Sequence, residues 1–325
     1  MNLEISPLKI DDIILEYREN VDNQLAEIYP KGPQSLHGPI HYVLNGSGKR
    51  LRPLLAIFVA EACGGLMDDV MSSALAIEVL HNFTLVHDDI MDGDIIRHGQ
   101  ETVHQKWDNS IAILTGDAML SLALGLINQS CLSKNKQMQI FIEGLLAVCE
   151  GQALDKELET YRSVTIDDYI RMIDLKTGHI IGMAAQVGAT SAGADENTTN
   201  GVRDYGRLLG RAFQIQDDYL EIFSDSNNMR KSLKSDIILG KKTFLMIFAL
   251  EKNSRMVKII VDNISKDFDK GMKEIREYMH KSGIQETARK EINNIIKSAD
   301  SKLCQLNIKK DKLLYFSELI RKRKY

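Results

Sequence analysis

Proline is missing from this chain beyond position 53. The five prolines, Pro7, Pro30, Pro33, Pro39 and Pro53, all lie near the start, so the strongest helix breaker is absent from everything that follows. Cysteine is scarce as well: Cys63, Cys131, Cys149 and Cys304 are scattered without CxxC spacing. That excludes a disulfide framework or a zinc site and predicts a reducing, cytoplasmic setting. The charge excess is small, -4 with a pI near 6.1, which argues against nucleic acid as a partner. No run of about 18 uncharged apolar residues stands out, so no transmembrane segment is expected. Glu4, Asp11 and Asp12 sit where a signal peptide would need basic and apolar residues.

Apolar spacing fills in what the missing prolines permit. Leu75, Val79, Phe83 and Val86, and Ile113, Leu120, Leu124 and Ile127, recur at steps of three, four and seven, while sustained β-branched alternation is missing. The pattern predicts an all-α protein with helices from Ile10 to Ile28, from near Pro39, from Leu54 to Ala62, and over 66–92, 106–130, 135–160, 165–190, 197–224 and 242–263. Three lysine-rich amphipathic helices follow. Short turn-rich breaks at Gly64-Gly65, Gly93 to Gly99, Ser133 to Asn135, Gly193 to Asp195 and Asp225 to Gly240 separate them. None has the length or composition of an interdomain linker, and no period of 20–50 residues repeats, so residues 1–325 are expected to form one domain.

Within this helical pattern one arrangement occurs twice. Asp88-Asp89-Ile90-Met91-Asp92 and Asp217-Asp218-Tyr219-Leu220-Glu221 both carry carboxylates at i, i+1 and i+4, a spacing that gathers them along one edge of a helix. Each follows apolar sequence, Phe83 to Val86 and Ala212 to Ile215, so each lies where its helix packs. Facing edges would repel unless hard cations and an anionic ligand sat between them. An EF-hand over Asp88 to Gly99 fails because Ile90 and Gly99 fall where oxygen ligands are required. A His-Asp phosphohydrolase built on His87-Asp88 would need further histidines on the metal. His81, two turns before Asp88 on the same face, suits an anion better.

Basic residues alternate with these acids. Lys49 and Arg52 flank Gly46-Ser47-Gly48, Arg97 follows the first cluster, Lys176 precedes Thr177-Gly178, and Lys241-Lys242 closes the loop after the second cluster. The set suits two diphosphates, one bridged by metals and one held by cations alone. The terminal Arg321-Lys322-Arg323-Lys324 run reads as a solvated tail.

These residues fall into a known series. Gly48-Lys49-Arg50-Leu51-Arg52-Pro53, Leu85 to Asp92, Gly116-Asp117-Ala118, Gly151-Gln152, Lys176-Thr177, Phe213 to Leu220, Ser235-Asp236 and Gly240 to Thr243 occur in order. In this the chain resembles the trans-isoprenyl diphosphate synthases, the polyprenyl synthetases, over about residues 40–250. The resemblance implies a bundle of mostly antiparallel helices around a deep cleft, a homodimer, and about three Mg2+ ions bridging both acidic motifs to an allylic diphosphate (dimethylallyl, geranyl or farnesyl). It implies Asp88, Asp92 and Asp217 as metal ligands supported by Asp89, Asp218 and Gln152. Arg97, Lys176 and Lys241 would neutralise the departing diphosphate. Lys49, Arg52 and His81, with the position of His98, would bind isopentenyl diphosphate. Thr177 and Gln214, next to Phe213, would flank the allylic cation. Phe83, five residues before Asp88, with Thr84 beside it, is similar to the length gauge of archaeal-type geranylgeranyl diphosphate synthases, with a farnesyl diphosphate synthase or another chain length as the alternative.

Three departures stand out. His98 and Glu101 occupy positions where the family usually has arginine and proline, Glu221 is unusual in the second motif, and Arg230-Lys231 replaces a common glycine-lysine. The titratable His98 predicts weaker isopentenyl diphosphate binding above neutral pH. A terpene cyclase of the same fold is disfavoured because its second motif has another composition and Lys49 and Arg52 would lack a second diphosphate. A non-catalytic partner subunit is disfavoured because both acidic motifs are present.

Overall fold

The structure, a computed structural model, describes residues 7–46, 48–130, 132–224 and 241–323. Helices follow one another as expected: α1 Pro7–Ala26, α2 Gln34–Leu44, α3 Leu51–Ala62, α4 Met67–Asp92, α5 Val103–Lys106, α6 Asn109–Ile127, α7 Lys134–Thr160 and α8 Ile166–Ile173. A π-turn, Asp174–Gly178, joins α8 to α9 His179–Ser191. Then come α10 Glu196–Phe223, α11 Phe244–Lys266, α12 Phe268–Lys281, α13 Ile284–Cys304 and α14 Asp311–Arg321. Among the described residues the β-structure is one antiparallel pair, β1 Ile96–Arg97 and β2 Gln100–Glu101.

Glycine ends the helices where the sequence breaks them. Gly64, Gly93 and Gly193 take φ of 92°, 67° and 70°, left-handed turns that a side chain would resist. One expected boundary moves. Helix α2 begins at Gln34, and Pro39 lies inside it, buried beside Ile40. Pro33 starts the helix instead, its carbonyl accepting from the amides of Leu36 and His37 at 2.9 and 2.8 Å.

The core runs through the bundle from Val21 and Leu25 to Phe316 and Ile320. Helices α3, α4, α6, α9 and α10 pack together at its centre, and α4, α9 and α10 carry side chains into the site. Helix α6 bears on the expectation that no transmembrane segment is present. Asn109–Ile127 is long and apolar enough to cross a membrane, with mean hydropathy 1.8, although Asp117 sits within it. In this fold one flank packs on α4 through buried Ala112, Thr115, Gly116 and Met119, while Ile113 and Leu114 are exposed.

Candidate active site

Helix α4 delivers the first acidic edge at its last turn. There Gly93 reverses the chain, and the β1–β2 hairpin brings Arg97 back onto α4. The three carboxylates then meet different cations. Asp88 lies 3.6 Å from Lys176, which also donates to Asp155 at 2.7 Å. Asp89, almost fully buried, accepts from Arg97, whose guanidinium also reaches Asp94 at 3.2 Å. Asp92 accepts from Lys241 at 3.0 Å and Lys156 at 3.3 Å.

Their ionisation differs accordingly. Burial pushes Asp88 up against the pull of Lys176 and Arg97, and pushes Asp89 up to about 6 despite Arg97. Burial also acts on Asp92, but Lys241, Lys176 and Lys156 together hold it below the usual carboxylate range. On this edge the lysine ammonium groups are what keep Asp92 charged.

Helix α10 presents the second edge, and here the partners are largely uncharged. Asp218 accepts from Tyr169 Oη at 2.7 Å, the backbone amide of Phe244 at 2.9 Å and Gln214 Nε2 at 3.2 Å. Gln214 in turn accepts from Thr177 Oγ1 at 3.0 Å. Burial raises Asp218 to about 6 despite these donors. Asp217 faces elsewhere, onto the guanidinium of Arg323; burial raises it while Arg323, Arg52 and Lys49 oppose the rise. Glu221 is half-buried and close enough to Tyr169 to act on its hydroxyl. The segment from Lys241 to Phe244 spans the two edges, one end on Asp92 and the other on Asp218.

Asp217 shares its surroundings with a basic wall. Lys49 is exposed, Arg52 is half-buried with its Nε unpartnered, and both feel the charge of Arg323. His81 is pushed well below its usual value by burial and by Arg52 and Arg97. His98, at φ 50°, is lowered by burial, Arg97 and Arg323. In the free protein both imidazoles are therefore neutral at neutral pH. The expected loss of isopentenyl diphosphate binding above neutrality moves to the acid side, because the cations around His98 already disfavour its protonation.

The solvated-tail reading of Arg321 to Lys324 is corrected at two residues. Arg321 pairs with Asp300 at 3.2 Å. Arg323 bonds Asp217, lies 4.3 Å over the Phe213 ring, and receives a hydrogen bond from Gln216 on its carbonyl at 2.8 Å. Nothing in a charge run announces which carboxylate it will meet. Asp155 and Lys156 were missed too, although they lie one turn beyond Gln152 on α7, where helical spacing could have found them. Tyr169 and the trio Asp174, Arg207 and Arg211 give no local signal. Arg230, Lys231, Ser235, Asp236 and Gly240 lie outside the described residues.

His87 turns away from the acids. It lies 3.4 Å from the Ile113 carbonyl and 4.0 Å from Asp117, over Gly116, where an added Cβ would come within 2.1 Å of its ring. A His-Asp metal pair is thereby excluded, and Gly116 has a packing role. Phe83 is buried on α4 with its ring edge-on to His87 at 4.8 Å, while Thr84 Oγ1 donates to the His81 carbonyl.

Among the described residues no three His, Cys, Asp or Glu side chains converge as a ready-made metal cage. A magnesium ion usually takes one or two carboxylates together with substrate phosphates and water, and needs no such cage. Gln152 agrees with a missing polar ligand: its side-chain oxygen and nitrogen are both buried without a partner.

Comparison with known proteins gives a consistent result. The family model for polyprenyl synthetase matches residues 33–280. The chain is similar to a short chain isoprenyl diphosphate synthase of Methanothermobacter thermautotrophicus, 38% identical over 76% of this chain and 77% of that one. It is also similar to a geranylgeranyl diphosphate synthase of Methanosarcina mazei, 37% identical over 75% and 77%. The solved geranylgeranyl pyrophosphate synthetase of Pyrococcus horikoshii superposes with a TM-score of 0.87 at 33% identity, covering 97% and 98% of the two chains.

Proposed function

The chain belongs to the polyprenyl synthetase family and is a trans-prenyltransferase, and on that premise we propose that it condenses isopentenyl diphosphate head-to-tail with an allylic diphosphate, giving geranylgeranyl diphosphate. The observation that carries the reading is the split of charge. Asp88 and Asp92 look onto Lys176, Lys241 and Lys156, whereas Lys49, Arg52 and Arg323 gather beyond Asp217. Two diphosphates need two such environments, and a cyclase would use one.

In this reading Asp88, Asp92 and Asp217 would hold magnesium, and the unpartnered Gln152 side chain would support them. Bound there, it would supply electrostatic stabilisation of the charge that develops on the allylic diphosphate. Lys176, Lys241 and Arg97 add positive charge on the same group as it leaves, where pre-positioned donors help most. Lys49, Arg52 and Arg323, with His81 and His98 among them, hold isopentenyl diphosphate with its double bond toward the allylic carbon. Thr177 Oγ1 and Gln214 Oε1, already hydrogen-bonded to each other, turn oxygen dipoles toward the developing cation without a strong nucleophile. The attack forms the new carbon–carbon bond, and the departed pyrophosphate takes the proton lost. Asp89 and Asp218 serve as supports, being engaged by Arg97 and by Tyr169 and Phe244. Phe83, about one and a half turns below Asp88, bounds the growing chain.

The chain is further read as one domain that forms a cytoplasmic homodimer. Ile113 and Leu114 on α6 and Ile142 and Leu146 on α7 are 47–59% exposed, an apolar face that a second copy would bury. Cys63, Cys149 and Cys304 are free thiols, as a reducing compartment favours. Sedimentation tests the dimer: a monomer at micromolar concentration rejects it. For the activity, purified protein is incubated with Mg2+, labelled isopentenyl diphosphate and dimethylallyl, geranyl or farnesyl diphosphate. Incorporation ending at geranylgeranyl diphosphate is expected, and no incorporation with any primer sinks the reading.

A further inference from the structure

Lys176 and Thr177 stand on the π-turn Asp174–Gly178. Such a turn is poor in isolation and needs outside support. Part of that support is steric. An added Cβ at Gly151 of α7 would lie 2.3 Å from the Lys176 nitrogen, and one at Gly210 of α10 would lie 2.7 Å from the Gly178 Cα. Backbone thus meets backbone on both flanks.

The remaining support is ionic and lies outside the site described above. Asp174, the first residue of the turn, is 7% exposed and bonded by two arginines one turn apart on α10. Arg211 Nε donates to Oδ1 at 2.8 Å, Arg207 Nε reaches Oδ1 at 3.3 Å, and Arg207 Nη2 holds Oδ2. Room for the carboxylate comes from Gly178, whose added Cβ would fall 2.7 Å from Oδ1. Room for the arginine comes from Gly182, whose added Cβ would fall 2.6 Å from Arg207 Cγ. Farther along α10, Gln214 takes the Thr177 hydroxyl. Helix α10 therefore grips the turn at its first residue through Arg207 and Arg211 and at its fourth through Gln214.

We propose that Asp174, held by Arg207 and Arg211, is a positioning residue that keeps this π-turn in register and so aims Lys176 Nζ and Thr177 Oγ1 at the allylic diphosphate. The proposal rests on the prenyltransferase reading given above. Relaxation to an ordinary α-turn would shift the register by one residue, swinging Lys176 by about 100° around the helix axis and away from Asp88 and Asp155. Lys49, Arg52 and Arg323 stand on other segments and are not carried by the turn.

The test replaces Asp174 with Asn, which keeps the volume but leaves one guanidinium unmatched. Hydrogen exchange in peptides spanning 174–179 is read first, with no substrate present; faster exchange confined to this stretch is expected. Steady-state kinetics should then show kcat reduced about 10–100-fold, the size typical when a supporting partner is lost, and a raised KM for the allylic diphosphate. The KM for isopentenyl diphosphate should stay within about twofold, a split that general softening of the fold would not produce. Arg207→Gln and Arg211→Gln should each give part of the effect and combine non-additively with Asp174→Asn; they carry the test if Asp174→Asn fails to fold. Unchanged exchange and kinetics in the folded variants overturn the proposal, as does an equal rise of both KM values with exchange quickened throughout. Inactive wild-type protein would reject the activity instead, while the exchange result would still report on the latch.

Discussion

The two acidic edges share one spacing and have different physical characters. On α4 the counter-charges of Asp88 and Asp92 are the ammonium groups of Lys176, Lys241 and Lys156, reached from three other segments. Lysine holds its charge on a flexible stem, so such partners can leave a carboxylate for a metal and follow a phosphate. On α10, Asp218 is fixed by a tyrosine, a backbone amide and a glutamine, and those donors join α8, α10 and the start of α11. A buried carboxylate satisfied in this way is part of the frame. The same two-aspartate start thus meets cationic side chains in one copy and, in half of the other, neutral donors.

The largest expected effect sharpens that contrast. Asp92→Asn should lower kcat by at least about 100-fold, the scale of losing one main electrostatic contact in the transition state, and should cost less stability than Asp218→Asn. Asp218→Asn should cost about 1–3 kcal/mol, because a carboxamide cannot accept from all three donors. Parallel calorimetry and kinetics decide, and the contrast breaks if both variants lose stability alike. Next in size, Arg323→Ala should raise the KM for isopentenyl diphosphate about tenfold and leave the allylic KM near its wild-type value. Across acid pH that KM should show the titration of His98 below its ordinary value; a midpoint above neutrality would contradict the environment seen here.

A smaller effect concerns stability against pH. Asp218 is raised from 3.8 to about 6 by burial, so folding favours its protonated form. Its contribution is whole below the unfolded value and is lost as pH rises through about 6. Asp92 is shifted the other way, so its contribution is present above the unfolded value and is lost only in stronger acid. Between pH 5 and pH 7.5 Asp218 therefore adds a destabilising slope that the lowered His81 and His98 oppose, so the melting temperature of Asp218→Asn should rise relative to wild type across that window, while that of Asp92→Asn runs parallel to wild type. The smallest effect on rate should come from Phe83→Ala, which is expected to lengthen the product while changing turnover little. An unchanged chain length by chromatography removes Phe83 as the floor.

Much of the fold was legible because its signals are local. Helix ends at Gly64, Gly93 and Gly193 follow from left-handed turns that glycine tolerates, and the described residues of the proline-free stretch run largely as helices. Pro39 was misleading, since a single proline says little about a helix already started at Pro33. Apolar length is ambiguous in the same way. Helix α6 has the length and apolarity to span a bilayer, and its packing on α4 becomes visible only in the assembled bundle.

By itself the sequence determined the helical content, the two carboxylate edges and the family to which the chain belongs, since periodicity and motif order are properties of neighbouring residues. Tertiary structure alone decided which charges meet. Arg323 comes to Asp217 across 106 positions and Lys241 to Asp92 across 149, while Asp174 meets arginines on another helix. Helical spacing can put a carboxylate on an edge. The group it faces depends on how the helices pack, and that packing is set by the shape of the whole core.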